Sequence, residues 1–154
     1  MKWSLWTPPS MVWGAVRDQH FYSTVLPPYI LSENRIVVYE MVNILVCINE
    51  WGTDWTDKHI LLYCDNRAVV DIMDRHKTRN ARLGKILRDI LYVMAKFNIH
   101  LEVKHVMGEK NPVADALLRV HMDKSVVCIN ELLQKGYTRS DIKLGHYVVD
   151  NGYF

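Results

Sequence analysis

The sequence contains few cysteines, and their spacing matches neither a disulfide framework nor a metal site. Three cysteines, Cys47, Cys64 and Cys128, occur among 154 residues, and no Cys-x-x-Cys pair is present. An odd number of cysteines without paired spacing is typical of free, buried thiols. We therefore expect an intracellular protein in a reducing compartment, and the sequence does not distinguish cytoplasm from nucleus.

The sequence also lacks the patterns that define several other classes of protein. Its seven histidines show no His-x-x-x-His or His-x-x-Cys spacing, and it has no glycine-rich phosphate loop and no Gly-x-Ser-x-Gly turn. Zinc sites, P-loop nucleotide sites and α/β-hydrolase active sites need these spacings. The longest apolar run, 36–48, is shorter than a bilayer span, and the first ten residues contain no apolar stretch of signal-peptide length. We expect no membrane association.

The composition that is present is that of one folded domain. Hydrophobic residues make up 49% of the chain and charged residues 23%, with a formal net charge of +2. A chain of this length and composition can bury a sizeable core. The balanced charge favours no class of partner, so binding to nucleic acid would have to depend on a local cluster.

One local cluster of positive charge lies in the middle of the chain. Its members fall between positions 75 and 85: Arg75, Lys77, Arg79, Arg82 and Lys85. We predict that these side chains bind the phosphate backbone of a nucleic acid, which is a sequence-independent and salt-sensitive contact. A solvated helix face without a ligand is the alternative explanation of the same residues.

The first third of the chain predicts three strands followed by a helix. Apolar, β-branched and aromatic residues at 3–6, 11–16 and 21–26 are separated by turn residues, and the second and third segments predict a hairpin. The apolar run at 36–48 is ambiguous, because its β-branched residues favour a strand. Its length and its end near Gly52 favour a buried helix, which we predict.

The rest of the chain alternates between strands and helices. Strands are predicted at 59–64 and 99–106, and helices at 67–75, 79–97 and 113–120. Consecutive strands followed by this alternation predict a mixed α/β fold whose sheet is antiparallel at first and parallel later. We assign residues 1–120 to one domain, and residues 121–154 to a C-terminal helical appendage or the start of a neighbouring module.

Three acidic residues occupy positions where an apolar core pattern would not place them. Glu40 interrupts the predicted buried helix, Asp65 follows a buried strand, and Asp115 lies at the start of a small-residue helix. Buried carboxylates are costly unless they are paired or bind a cation, and ligands gather at the carboxyl ends of parallel strands. Each residue also has a structural explanation: Glu40 can pair with a basic residue, Asp65 can cap the next helix, and Asp115 can suit a helix dipole.

The segments that carry these carboxylates resemble a known family. They are Glu40 in a long apolar helix, the strand end 63–66 (YCDN) and the segment 105–119 (HVMGEKNPVADALLR). Together they are similar to the ribonuclease H domain of retroelement reverse transcriptases. The last segment is similar to the Ty3/Gypsy and DIRS-like type, and the resemblance covers about residues 3–119.

The resemblance implies a ribonuclease H-like fold with a five-stranded mixed sheet, in which three antiparallel strands precede two parallel ones and helices cover both faces. It implies cleavage of the RNA strand of an RNA–DNA hybrid by two Mg²⁺ ions, or Mn²⁺, held by four carboxylates. Glu40, Asp65 and Asp115 match three of these carboxylates, as catalytic residues and metal ligands. The implied partners are an RNA–DNA hybrid or another nucleic acid and an adjacent reverse-transcriptase domain.

The position of the fourth carboxylate departs from the family pattern. The family has an aspartate at the end of the first strand, whereas positions 7–10 read TPPS, with Pro8 at the expected place. Proline offers no side-chain ligand, so we expect an incomplete metal site and impaired hydrolysis. Two alternatives stay open: a nuclease that works without this ligand, and a non-catalytic module that binds nucleic acid or protein.

Overall fold

A computed structural model describes residues 2–6, 12–17, 19–25, 36–106 and 133–139 of the protein. These residues form six strands and three helices. The strands are β1 (Lys2–Trp6), β2 (Val12–Arg17), β3 (His20–Val25), β4 (His59–Cys64), β5 (His100–His105) and β6 (Thr138–Arg139). The helices are α1 (Ile36–Trp51), α2 (Arg67–Arg75) and α3 (Ala81–Phe97).

The strands form one mixed sheet in the spatial order β5–β4–β1–β2–β3–β6. The β1–β2 and β2–β3 pairs are antiparallel, and the β1–β4, β4–β5 and β3–β6 pairs are parallel. The mixed α/β class and the hairpin formed by β2 and β3 are therefore confirmed. Within the described residues the sheet has six strands, which corrects the expected five. The added strand β6 has only two residues, too few to leave a hydrophobic pattern in a sequence.

Helix α1 contacts strands β1 and β2 as well as helices α2 and α3. Every residue from Val38 to Ile48 is buried, so this part of the helix has no polar face. The Tyr22 hydroxyl on β3 donates hydrogen bonds to the backbone oxygen and the side-chain oxygen of Asn43, which ties the helix to the sheet. The predicted helix at 36–48 is confirmed, and it continues to Trp51.

Asparagines define the ends of the two helices that follow β4. Asn66 is the N-cap of α2, and its side-chain oxygen accepts hydrogen bonds from two backbone N–H groups in the first turn. Asn80 caps α3 in the same way, so that helix begins two residues later than predicted. Asn98 ends α3 in the left-handed conformation, with φ of 51°.

The buried side chains of β4 and β5 alternate along each strand and join the core around α1. They are Ile60, Leu62 and Cys64 on β4 and Leu101 and Val103 on β5. Cys47 and Cys64 are free and buried, as predicted, whereas Cys128 lies outside the described residues. In the part of the chain that the structure describes, no helix is long and apolar enough to cross a membrane.

Gly52, directly after α1, packs against α3 at a distance that leaves no room for a methyl group. A Cβ at this position would lie 2.8 and 2.9 Å from two ring carbons of Phe97, and it would also meet the backbone oxygen of Ile48. We expect Gly52→Ala to lower the free energy of unfolding by about 1–3 kcal/mol, because the core would have to shift. Urea unfolding followed by circular dichroism measures this change.

Gly84, inside α3, is the matched control for this substitution. A Cβ there would lie no closer than 3.7 Å to the nearest atom, which is ordinary contact. Gly84→Ala should therefore stabilise the protein by about 0.5–1 kcal/mol through helix propensity. Equal effects of the two substitutions would contradict the close approach at Gly52.

Candidate metal centre

The structure brings two of the three predicted carboxylates together. Glu40 lies in the second turn of α1, and Asp65 is the first residue after β4. A carboxylate oxygen of each and the Sγ atom of Cys64 all lie within 4.8 Å of one another. The third predicted carboxylate, Asp115, and Pro8 lie outside the described residues.

The explanation of Asp65 as a helix cap is wrong, and the described residues contain no lysine or arginine paired with Glu40. The N-cap of α2 is Asn66 and not Asp65, so the Asp65 side chain is not used to cap that helix. Among the described residues, neither carboxylate forms an ion pair with a lysine or arginine. Two neighbouring carboxylates therefore share one site without an ion pair to a lysine or arginine of the described chain.

Burial changes the protonation of Glu40 more than any other influence does. Its side chain is 2% exposed, among the apolar residues of α1. Desolvation by burial, and then the nearby charge of Asp65, raise the pKa of Glu40 to about 8, against the opposing hydrogen bond from Cys64. Burial also raises the pKa of Asp65, which a backbone hydrogen bond and the nearby His105 oppose. A bound cation would favour the ionised form of both groups.

Cys64 belongs to this group of side chains although it was not predicted as a site residue. Its Sγ donates a hydrogen bond to Glu40 Oε2 over 3.4 Å, and its side chain is fully buried. Burial, followed by the charge of Glu40, raises the pKa of the thiol, so Cys64 is protonated in the absence of a metal. The alternation of β4 could have indicated this position, since Ile60 and Leu62 point to the same face.

His105, the last residue of β5, holds the backbone next to the site. Its Nε2 atom lies 3.2 Å from the backbone oxygen of Asp65, across the parallel β4–β5 pair. His105 also lines a cavity of about 300 Å³ together with residues from the first half of α2: Arg67, Ala68, Val70 and Asp71. His105 therefore connects the backbone at Asp65 to a cavity that carries both basic and acidic groups.

Part of the predicted basic cluster surrounds a second cavity, where α2 ends and α3 begins. This cavity of about 280 Å³ is lined by Arg75, Lys77, Thr78 and Arg79. All three basic residues are exposed, and only Arg75 lies near an acidic group, 3.9 Å from Asp71, in the described structure. The other two predicted residues, Arg82 and Lys85, are exposed on the first turns of α3.

The chemistry of the donor atoms fits a divalent cation. Two carboxylate oxygens and one sulfur lie within 4.8 Å of one another, and Glu40 is buried without a lysine or arginine partner in the described chain. Carboxylates with free water positions are the usual ligands of Mg²⁺ and Mn²⁺ in proteins. Glu40 and Asp65 would hold such an ion.

A mixed sheet with carboxylates converging at the carboxyl end of a parallel strand is typical of ribonuclease H-like domains. The family described as reverse transcriptase-like matches residues 45–121, half of the chain, and this match includes Asp65 and Asp115. The chain belongs to this ribonuclease H-like family of retroelement domains, whose members usually use divalent metal ions. No curated protein matches the sequence.

Proposed function

We propose that this domain binds RNA–DNA hybrids as a retroelement ribonuclease H-like domain of the Ty3/Gypsy or DIRS-like type, with impaired hydrolysis of the RNA strand. The observation that carries the proposal is the convergence of Glu40 and Asp65, which are distant in sequence, inside a chain of this family. Residues 1–120 would form the domain, and the adjacent partner in a longer polyprotein would be a reverse-transcriptase domain.

In this proposal the metal ligands are Glu40, Asp65 and Asp115. When bound, Mg²⁺ or Mn²⁺ supplies an activated water and stabilises the leaving oxygen. The protein contributes the orientation of the ligands: α1 carries Glu40 within the core, and the hydrogen bond between His105 and the Asp65 backbone fixes the turn that follows β4. A rigid turn at Asp65 favours a fixed position of its carboxylate.

The expected impairment depends on the position of Pro8. Strand β1 runs parallel to β4 and pairs with it, so the carboxyl ends of the two strands lie at the same edge of the sheet. Strand β1 ends at Trp6, and the chain reaches Pro8 two residues later. An aspartate at this point of the family pattern would complete the ligand set next to Asp65, and proline provides no oxygen from its side chain.

The position of the basic cluster supports binding of a hybrid that runs from the carboxylates towards the end of α2. Helix α2 begins just after Asp65 and ends at Arg75. Nine residues at 1.5 Å each separate the two sites by about 13 Å along the helix. One strand of a duplex with its scissile bond near Asp65 would therefore reach the basic cavity formed by Arg75, Lys77 and Arg79 within a few nucleotides.

We expect the wild-type protein to cleave a labelled RNA–DNA hybrid slowly or not at all in Mg²⁺. Pro8→Asp should raise the single-turnover rate by at least roughly tenfold, or about 1.4 kcal/mol of transition-state stabilisation, because the added carboxylate would help to hold the metal ion that activates the water. Gel analysis of the labelled RNA strand measures the rate, and circular dichroism checks that the variant folds.

Asp65→Asn in the Pro8→Asp protein is the matched control, because it removes one ligand oxygen without changing the size of the side chain. This control should abolish the gain in rate. Rapid cleavage by the wild-type protein that Asp65→Asn abolishes would contradict the impairment and leave an active nuclease. Cleavage that survives Asp65→Asn would come from a contaminating enzyme or from another site.

A non-catalytic module that binds nucleic acid is the second candidate function, and the proline at position 8 favours it. In this second proposal, the domain has lost catalysis and keeps the surface that binds nucleic acid. It predicts hybrid binding with no cleavage even in the Pro8→Asp protein, which separates it from the first candidate.

A further inference from the structure

The Cys64 thiol faces the same point as the two carboxylates. Its Sγ atom and the carboxylate oxygens of Glu40 and Asp65 lie within 4.8 Å of one another. Metal–sulfur and metal–oxygen bonds of about 2.3 and 2.1 Å place two ligand atoms of one cation at most about 4.4 Å apart. The distance of 3.4 Å from Cys64 Sγ to Glu40 Oε2 fits this limit. The sulfur is fully buried, so water does not compete for it from the solvent side.

We propose that Cys64 is a third ligand of this metal site and gives it a preference for the thiophilic cations Cd²⁺ and Zn²⁺ over Mg²⁺. The inference rests on the proposed function, because it takes the carboxylate metal site as given and adds one ligand atom to it. Mg²⁺ takes oxygen ligands and retains water, whereas Zn²⁺ and related soft ions bind thiolate strongly. A donor set of two oxygens and one sulfur therefore favours the softer ions.

Binding of such a cation has a simple balance. At neutral pH the S–H bond of Cys64 and the O–H bond of Glu40 break, the metal–sulfur and metal–oxygen bonds form, and two protons are released to the buffer, with no change in oxidation state. The hydrogen bond from Sγ to Glu40 Oε2 already orients the sulfur towards the carboxylate that would share the ion. Substitution of the thiol by a hydroxyl removes the soft ligand and keeps a polar group of similar size.

The test uses the full chain and Cd²⁺ alone as the probe. The sulfur-to-Cd²⁺ charge-transfer absorption in the ultraviolet reports thiolate coordination directly and does not depend on enzymatic activity. The chain has two other thiols, so Cys47→Ser and Cys128→Ser are the matched controls. We expect the band in the wild-type protein and in both controls, and we expect Cys64→Ser to lose it.

Cys64→Ser should also weaken Cd²⁺ binding by roughly 10- to 100-fold or more, a loss that even outer-shell changes produce at metal sites. Mg²⁺ binding, measured by calorimetry, should weaken much less than Cd²⁺ binding in the same variant, because Mg²⁺ takes oxygen ligands. A band that persists in Cys64→Ser would overturn the inference. If this variant does not fold, Asp65→Asn with Cys64 intact is expected to weaken Cd²⁺ binding and shift the band, and an unchanged band would again overturn it.

The outcome for Mg²⁺ separates this inference from the proposed function. If Mg²⁺ binds in an Asp65-dependent way and Cd²⁺ produces no band, the carboxylate site stands and the role of Cys64 is wrong. If neither cation binds, the metal site itself fails and the inference falls with it.

Discussion

Neutralising the basic cavity is expected to weaken hybrid binding by a factor of several hundred. The variant combines three substitutions, Arg75→Gln, Lys77→Gln and Arg79→Gln, at exposed positions around one cavity. Each phosphate contact changes the logarithm of affinity by about 0.9 per tenfold change in salt, so three lost contacts cost roughly 500-fold at 0.1 M salt. The slope of affinity against salt should fall by about 2.7.

Fluorescence anisotropy of a labelled RNA–DNA hybrid over a salt series, in EDTA to prevent cleavage, measures both quantities. The matched control replaces three exposed lysines elsewhere, Lys58, Lys96 and Lys135, by glutamine. This control removes the same net charge, so it separates the local contacts from the overall field of the protein. It should lose much less affinity and keep most of the salt slope.

Equal losses in the two variants would show that binding depends on overall charge and not on the cavity. Unchanged affinity in the Arg75, Lys77 and Arg79 variant would favour the solvated helix face, which was the alternative explanation of these residues. Either result would leave the carboxylate site unaffected, because the two sites lie at opposite ends of α2.

The local structure of the central region followed from patterns in the sequence, because each element there has a strong local signal. The strand at 59–64 and the helix at 67–75 have the predicted bounds. Helix α1 was harder, since burial on all sides removes the polar face that normally identifies a helix. The length of the apolar segment predicted a helix, and the structure confirms this helix.

The candidate site could be predicted only in part from patterns in the sequence. Glu40 and Asp65 stood out as acidic residues in apolar surroundings, but their meeting depends on how α1 crosses the sheet, which no local pattern encodes. The choice between Asp65 and Asn66 as the helix cap also depends on backbone geometry, since both residue types cap well and they are neighbours.

Cys64 was overlooked for a different reason. A cysteine in an apolar strand is usually a core residue, and Cys64 is indeed buried in the core. Cys64 belongs to the site because its side chain contacts Glu40. The structure shows this contact as a hydrogen bond between the two side chains. The prediction for Asp115 stays a prediction, because that residue lies outside the described part.

Without divalent cations, the protein is expected to lose stability steadily as the pH rises from about 5 to 8, and Glu40→Gln should remove most of this loss. The pKa of Glu40 is about 8 in the folded protein and 4.5 in the unfolded chain. Between these values the folded state keeps a proton that the unfolded state releases. The free energy of unfolding therefore falls by about 1.4 kcal/mol per pH unit, a few kcal/mol in total, and levels off above pH 8.

The sign follows from burial: the contribution of neutral Glu40 is fully present below pH 4.5 and is lost between pH 4.5 and about 8, because over this range the unfolded chain ionises this carboxyl and the folded protein does not. Asp65 changes stability in the same direction because its pKa is also raised. Urea unfolding in EDTA at several pH values measures the slope. Glu50→Gln, an exposed change on the same helix, is the matched control and should keep most of it.

Saturating Mg²⁺ is expected to reduce the slope in the wild-type protein, because a cation between Glu40 and Asp65 stabilises their ionised forms. A cation present at 100 times its dissociation constant would add about 2.7 kcal/mol to the free energy of unfolding. Glu40→Gln should gain less from Mg²⁺ than the Glu50→Gln control. A flat pH profile for the metal-free wild-type protein would mean that Glu40 is neutralised by a partner, and the carboxylate pair would then not need a metal.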